Sequence, residues 1–225
     1  MSASGSRWCL LSLGLAVSVA AGCGGSPRKV EGLPTARAPS GPPAFPSTCA
    51  RKGRATFVMG QSVDAISIEE VASHFRDVYH VDVDVLPSFP ESVFEGVFDP
   101  VEKQVLVEAA LRALVGHLGP IPTGTWLFAV TDLDLRIESR PDWGWAFAGR
   151  VGNASLISIE RMREPVGEIT PAQLHARIFK LIARQLGDVY CGLPRTGPDS
   201  SVMRREILSL DDLDAIDESD WRVKE

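Results

Sequence analysis

The stretch from Thr170 to Met203, TPAQLHARIFKLIARQLGDVYCGLPRTGPDSSVM, constrains this chain more than any other. Thr170 is an N-cap residue and Pro171 sits at the first helical position, where its missing N–H is not needed. At 100° per residue Leu174, Ile178, Leu181 and Ile182 share one side, extended by Phe179, Ala183 and Leu186. Gln173, Arg177, Lys180, Arg184 and Asp188 form a single polar stripe opposite. The pattern predicts an amphipathic helix with one wet face, ended by Gly187 in a left-handed conformation.

The beginning of the chain reads as an address. Residues 1–22 carry one positive charge, Arg7, and then an apolar run from Trp8 to Ala21, the length of a signal peptide and short for a membrane span. The run ends Ala20-Ala21-Gly22-Cys23, which resembles a bacterial lipobox, an ordinary signal peptide cut nearby being the alternative. In the lipobox reading Cys23 becomes the lipidated first residue and anchors the protein without a spanning helix. Gly24 in place of Asp resembles outer-membrane lipoproteins, so the expected location is the bacterial cell envelope, on the outer membrane and facing the periplasm. Residues 23–54 are rich in Gly, Pro and Ser and read as a flexible tether, leaving 55–225 as a single domain.

The formal charge is −6, and removal of residues 1–22, with one Arg and no acid, makes it −7. An acidic domain with no Walker A loop, G-x-G-x-x-G or C-x-x-C gives no support to nucleic-acid or nucleotide binding. With Cys9 discarded and Cys23 lipidated, Cys49 and Cys191 remain, and in an oxidising compartment the simple expectation is that they pair.

Taken in order, the domain predicts β-α-β-α-β, a strand-rich middle and then the long helix. Ala55–Met59 is a short apolar strand, and Ser67–Tyr79 a helix with Ser67 as cap. HVDVDVL alternates as a half-buried strand, and Asp99-Pro100 opens a second helix, Val101–His117. Trp126–Val130 is a continuous apolar run typical of a strand buried on both faces. WGWAFAGRV and ASLISIERM follow as two strands joined at Gly152-Asn153. The fold class is therefore α/β, a twisted mixed sheet with packed helices.

This order of elements resembles the archaemetzincin family of metzincin zinc peptidases. With Gly187 on the glycine of H-E-x-x-H-x-x-G-x-x-H, Cys191 matches the family's Cys and Ser201-Val202-Met203 the Met turn, with Met203 its methionine. Thr131-Asp132-Leu133-Asp134-Leu135, Trp145-Ala146-Phe147-Ala148-Gly149, Ile157-Ser158-Ile159-Glu160-Arg161-Met162 and Leu208–Asp214 match further family elements, so the resemblance spans residues 55–214. The chemistry departs from it: Lys180 and Arg184 replace the helical His pair, Leu181 the Glu base, and Tyr190 the third His. The family's structural zinc takes cysteines; here Ser201 stands at one such position and the chain ends DESDWRVKE.

Two cations repel a dication and leucine cannot take a proton from water, so zinc is expected to be lost, no catalytic residue is assigned and no cofactor is expected. His74, His80, His117 and His175 show no ligand spacing. The resemblance thus implies a degenerate, membrane-anchored pseudopeptidase that acts as a peptide- or envelope-protein-binding or structural module; the alternative is an active zinc metallopeptidase with a rearranged metal site. For a binding module the candidates are Arg177, Lys180 and Arg184 as an anion site, unless the stripe is simply solvated with Arg184 paired to Asp188. They face Trp145 and Phe147 on the strand Trp145–Val151, whose edge would accept a peptide by β-augmentation. Asp132 with Asp134 form a candidate acid–base pair, or caps of a turn; Trp143 with Trp145 form a candidate aromatic platform, or packing. The acidic segment after Leu210 reads as a solvated helix face.

Overall fold

The computed structural model describes residues 45–47, 49, 53–163 and 169–224. The expected signal segment, Cys23 and most of the expected tether lie outside them. Strand β1 (Arg54–Met59) leads to helix α1 (Ile68–Tyr79), whose Ser67 and Glu70 form a reciprocal capping box. Strand β2 (Val83–Val85) follows, parallel to β1, with Ala55 opposite Val83. A 3-10 segment, Glu91–Val97, then leads into a hairpin of β3 (Phe98–Asp99) and β4 (Gln104–Leu106). Helix α2 is Val107–Leu118, β5 is Thr125–Thr131 and β6 is Asp134–Arg136. Strands β7 (Ala148–Val151) and β8 (Ala154–Ser158) form the predicted hairpin. Helix α3 (Pro171–Gln185) and the short α4 (Leu210–Asp214) complete the order.

The main sheet runs β2-β1-β5-β8-β7, parallel except for the edge strand β7. A second sheet runs β3-β4-β6. Period-two alternation splits the core between the faces of the main sheet. Phe57, Phe128, Val130 and Ile157 join Phe75 of α1 and Ile178 of α3 in one cluster. Val58, Leu127, Ala129 and Leu156 join Leu111 and Leu114 of α2 in the other. Trp126–Val130 is thus the centre of the sheet, as its apolar run predicts.

Three expectations are corrected. The second helix does not begin at Val101. The Asp99 carboxylate accepts from the backbone N–H groups of Val101 and Glu102 at 2.9 and 3.2 Å, and Lys103 turns the chain at φ +57°, so 98–106 is a hairpin. The strand expected over 143–151 pairs with β8 only from Ala148; before that the chain crosses to the small sheet, where the Ala146 N–H donates to Leu135 at 2.7 Å. The domain also begins before residue 55, since Phe45 and Cys49 pack on the core and β1 starts at Arg54.

Candidate functional site

Thr170 caps α3 through a reciprocal pair with Gln173, and Leu174, Ile178, Leu181 and Ile182 are buried as the wheel predicts. Gly187 does not end the helix. A π-helical turn, Leu186–Tyr190, carries it on, and the chain turns at Gly192, φ +70°. Gly187 is required by close approach instead: a Cβ there would lie 2.4 Å from the Met203 sulfur and 2.9 Å from the Trp221 ring. The Met turn therefore packs directly under the helix, with Val202 and Met203 fully buried.

The polar stripe is a seam rather than a wet face. Arg177 pairs with Asp214 through Nε and Nη2 at 2.7 and 2.6 Å, and its Nη1 donates to the Met162 carbonyl at 2.7 Å. Lys180 Nζ donates to the Asp214 carbonyl at 2.9 Å. Arg184 is only 4% exposed; Nη1 donates to the carbonyls of Val202 (3.0 Å) and Arg204, and Nη2 to that of Arg205 (3.0 Å). Asp188 pairs not with Arg184 but with Arg195 at 2.7 Å and Arg150 at 3.4 Å. The expected solvated stripe is thus corrected; in the acidic segment after Leu210, Asp211, Asp214 and Asp217 are exposed as expected, with Asp214 also paired to Arg177. Burial lowers the Lys180 pKa and holds that of Arg184 down to about 10, Arg195 and Arg204 adding to the effect and Asp188 opposing it. The hydrogen bonds that Arg177 donates to the Asp214 carboxylate raise its pKa.

Beside α3 lies a cleft of about 210 Å³, walled by the segment from Trp143 to Ala148, by Leu181, Arg184 and Arg195, and by Arg205 to Leu208. Trp145 and Phe147 meet edge to face, ring centroids 4.7 Å apart. The Arg161 guanidinium lies over Trp145 at 5.1 Å, and that of Arg140 over Trp143 at 5.0 Å. Of the binding candidates, Trp145, Phe147 and Arg184 border this cleft, whereas Arg177 and Lys180 do not. Arg195 and Arg205, which do, carry no sequence signal beyond their charge, since they follow the helix in irregular chain.

The remaining candidates are scattered. Tyr190 is buried and stacks near Phe45, centroids 6.2 Å apart. Cys49 and Cys191 form a disulfide with Cα atoms 4.7 Å apart. Ser201 Oγ accepts from the Met203 N–H at 3.1 Å. Asp132 binds Ser62, while Asp134 holds Arg161 at 2.8 and 2.6 Å and Gln104 at 2.8 Å, so the two carboxylates are not an acid–base pair. His74 meets Glu218 at 2.6 Å and stacks on Phe179, His175 faces the Ala65 carbonyl at 2.9 Å, and His80 caps α1 at φ 54°. Among the described residues no three His, Cys, Asp or Glu side chains converge.

No family model matches this chain, and no curated protein matches it in sequence. Solved structures do. The archaemetzincin of Archaeoglobus fulgidus, in complex with malonate, is 20% identical with a TM-score of 0.58, over 75% of this chain and 96% of that one. The archaemetzincin of Methanopyrus kandleri is 20% identical, TM-score 0.57, over 76% and 91%. A zinc-dependent peptidase of Methanocorpusculum labreanum is 18% identical, TM-score 0.58, over 73% and 94%. The residues at the zinc frame here do not fit a zinc ion: an ammonium, a leucine and a guanidinium already bound to three carbonyls offer it no lone pair. What the likeness establishes is the fold, a mixed α/β sandwich of archaemetzincin type.

Proposed function

We propose that the chain is a non-catalytic member of this fold, anchored to a bacterial membrane through Cys23, whose cleft binds a segment of peptide or envelope protein. One observation carries the reading. The Arg184 guanidinium occupies the place where the resemblance puts a zinc-binding His, and it is bonded across the Met-turn backbone. With Leu181 at the position of the general base, neither a metal-bound water nor its activation has a residue to perform it. What the fold keeps is an edge. Strand β7 pairs only with β8, and among the described residues its outer side makes no further backbone hydrogen bond. An extended segment can add there as a further strand, its side chains reaching Trp145 and Phe147 at the strand's start. The anchor rests on Ala20-Ala21-Gly22-Cys23, and the outer membrane on Gly24.

The test is metal analysis of the full chain purified without chelator, with a peptide-cleavage assay on the same sample. Zinc far below one per chain and no cleavage, with or without added zinc, is the expected result. Stoichiometric zinc, lost together with peptidase activity on chelation, overturns the reading in favour of a rearranged metal site. The anchor is tested separately by Cys23→Ala, which releases the protein from host membranes; a variant that stays in the detergent phase contradicts it.

A further inference from the structure

Arg184 is a buried cation without an acidic partner. Its three hydrogen bonds go to neutral carbonyls, and among the described residues no carboxylate lies within ion-pair distance of it. Asp188, one turn on, is shared by Arg195 and Arg150. A guanidinium withdrawn from water keeps most of its demand for a counter-charge, which carbonyl dipoles meet in part. Two further observations fall in the same cleft. Arg195 has its Nε buried with no acceptor. Arg205 is exposed, and its side chain forms no ion pair or hydrogen bond among the described residues. The wall thus carries Arg184, Arg195 and Arg205 against Glu206, with Asp188 behind it already paired to Arg195, in a protein whose formal charge is −6. Such an excess of guanidinium is the opposite of what the composition supplies elsewhere.

Apart from Gln185, the rest of the wall is apolar, with Trp145, Phe147, Ile207 and Leu208, the last 57% exposed. The volume of about 210 Å³ falls below the roughly 300–1,000 Å³ usual for small-molecule sites, so the cleft takes one large residue rather than a whole ligand. Ala148 belongs both to this wall and to the start of β7. A strand added along β7 therefore reaches the cleft at its own end.

We propose that the cleft receives the C-terminal carboxylate of a peptide whose last side chain is large and apolar, the carboxylate held by Arg195 and Arg205 beside Arg184 and the side chain lying against Trp145 and Phe147. Arginine forks suit a planar carboxylate, and an edge strand supplies the backbone pairing for the residues before it. This rests on the peptide-binding reading above and names the end of the peptide that is recognised.

The experiment measures binding to the full chain by fluorescence anisotropy, with three sets of labelled octapeptides of randomised interior. The first set ends in Phe with a free carboxylate. The second is the same set amidated. The third is amidated, ends in Phe and carries one internal Glu. Expected is binding of the first set at least about tenfold tighter than either other set, weakening as salt is raised. Arg205→Ala, an exposed position, removes that preference with the circular dichroism unchanged, and Trp145→Ala weakens the first set while leaving its preference over the amidated set in place. Equal binding of the first two sets overturns this inference and leaves the peptide-binding reading standing. Binding of the third set as tight as the first overturns the assignment to a chain terminus. No binding by any set overturns the peptide-binding reading itself, and this inference with it.

Discussion

Arg184 Nη1 donates to the Val202 carbonyl at 3.0 Å, joining the last turn of α3 to the Met turn across 18 residues of chain. With the bonds to Arg204 and Arg205, one side chain closes three backbone acceptors of a segment that has no regular structure of its own. A buried carbonyl without a donor costs about 1–3 kcal/mol. Arg184→Ala is therefore expected to lose about 3 kcal/mol or more of stability in urea denaturation. Arg184→Lys keeps the charge but cannot fork over three acceptors, and its loss falls between the two. A midpoint unchanged in the alanine variant contradicts this account of the seam.

Gly187 makes a different test, because its backbone needs no left-handed conformation. A methyl group there meets the Met203 sulfur at 2.4 Å and the Trp221 ring at 2.9 Å. Overpacking of this kind costs about 1–3 kcal/mol. Gly187→Ala should destabilise by that amount, and Met203→Ala in the same chain should recover part of it, since the thioether is the nearer obstacle. A double variant no better than the single would assign the whole cost to Trp221.

How much of this was legible in the sequence depended on how far away the partners lie. Ser67 with Glu70 and Thr170 with Gln173 act within three residues, and both helix starts can be read directly. The run Trp126–Val130 announces a central strand because burial on both faces leaves no polar alternation. The stripe of Arg177, Lys180 and Arg184 misleads because its period is that of a solvated face, while its partners lie 15 to 37 residues away in sequence. Asp99-Pro100 looks like a helix start for a related reason: the same carboxylate that caps a helix also closes a tight turn. The cleft was half legible, through Trp145 and Phe147, whereas Arg195 and Arg205 sit in irregular chain that no periodicity describes.

Acid should loosen the end of the chain. The Arg222 side chain holds the Asp220 carboxylate down to about 2 from its ordinary 3.8, burial opposing and Ser200 helping. The folded state thus favours the ionised form. Its contribution is complete above pH 3.8 and is lost as the pH falls towards about 2. Trp221 lies next in sequence and packs edge-on against Phe45, centroids 4.9 Å apart, so it reports the change. The fluorescence difference between the parent and Trp221→Phe should shift across that window, and Asp220→Asn should show the loosened signal already at neutral pH. A flat difference spectrum from pH 4 to 2 would falsify the assignment.

The covalent tie at Cys191 sets the largest single effect. Cys49 and Cys191 are 142 residues apart in sequence, so the bridge encloses the chain from β1 to the end of the π-helical turn after α3. In the chain-entropy model a loop of that length stabilises by about 4–5 kcal/mol through restriction of the unfolded chain. Phe45 adds local contacts to the same junction, its ring 4.9 Å from those of Tyr79 and Trp221. Reduction should therefore lower the melting temperature of the full chain by roughly 10–15 °C, and the variant Cys49→Ser with Cys191→Ser should melt at the reduced value whether or not reductant is present. Peptide mapping of the full chain isolated without reductant should recover the fragment that joins the two cysteines. If both are recovered as free, alkylatable thiols, the bridge does not form; if the bridge forms but its reduction leaves the melting temperature unmoved, Phe45 and its aromatic neighbours hold this junction without it.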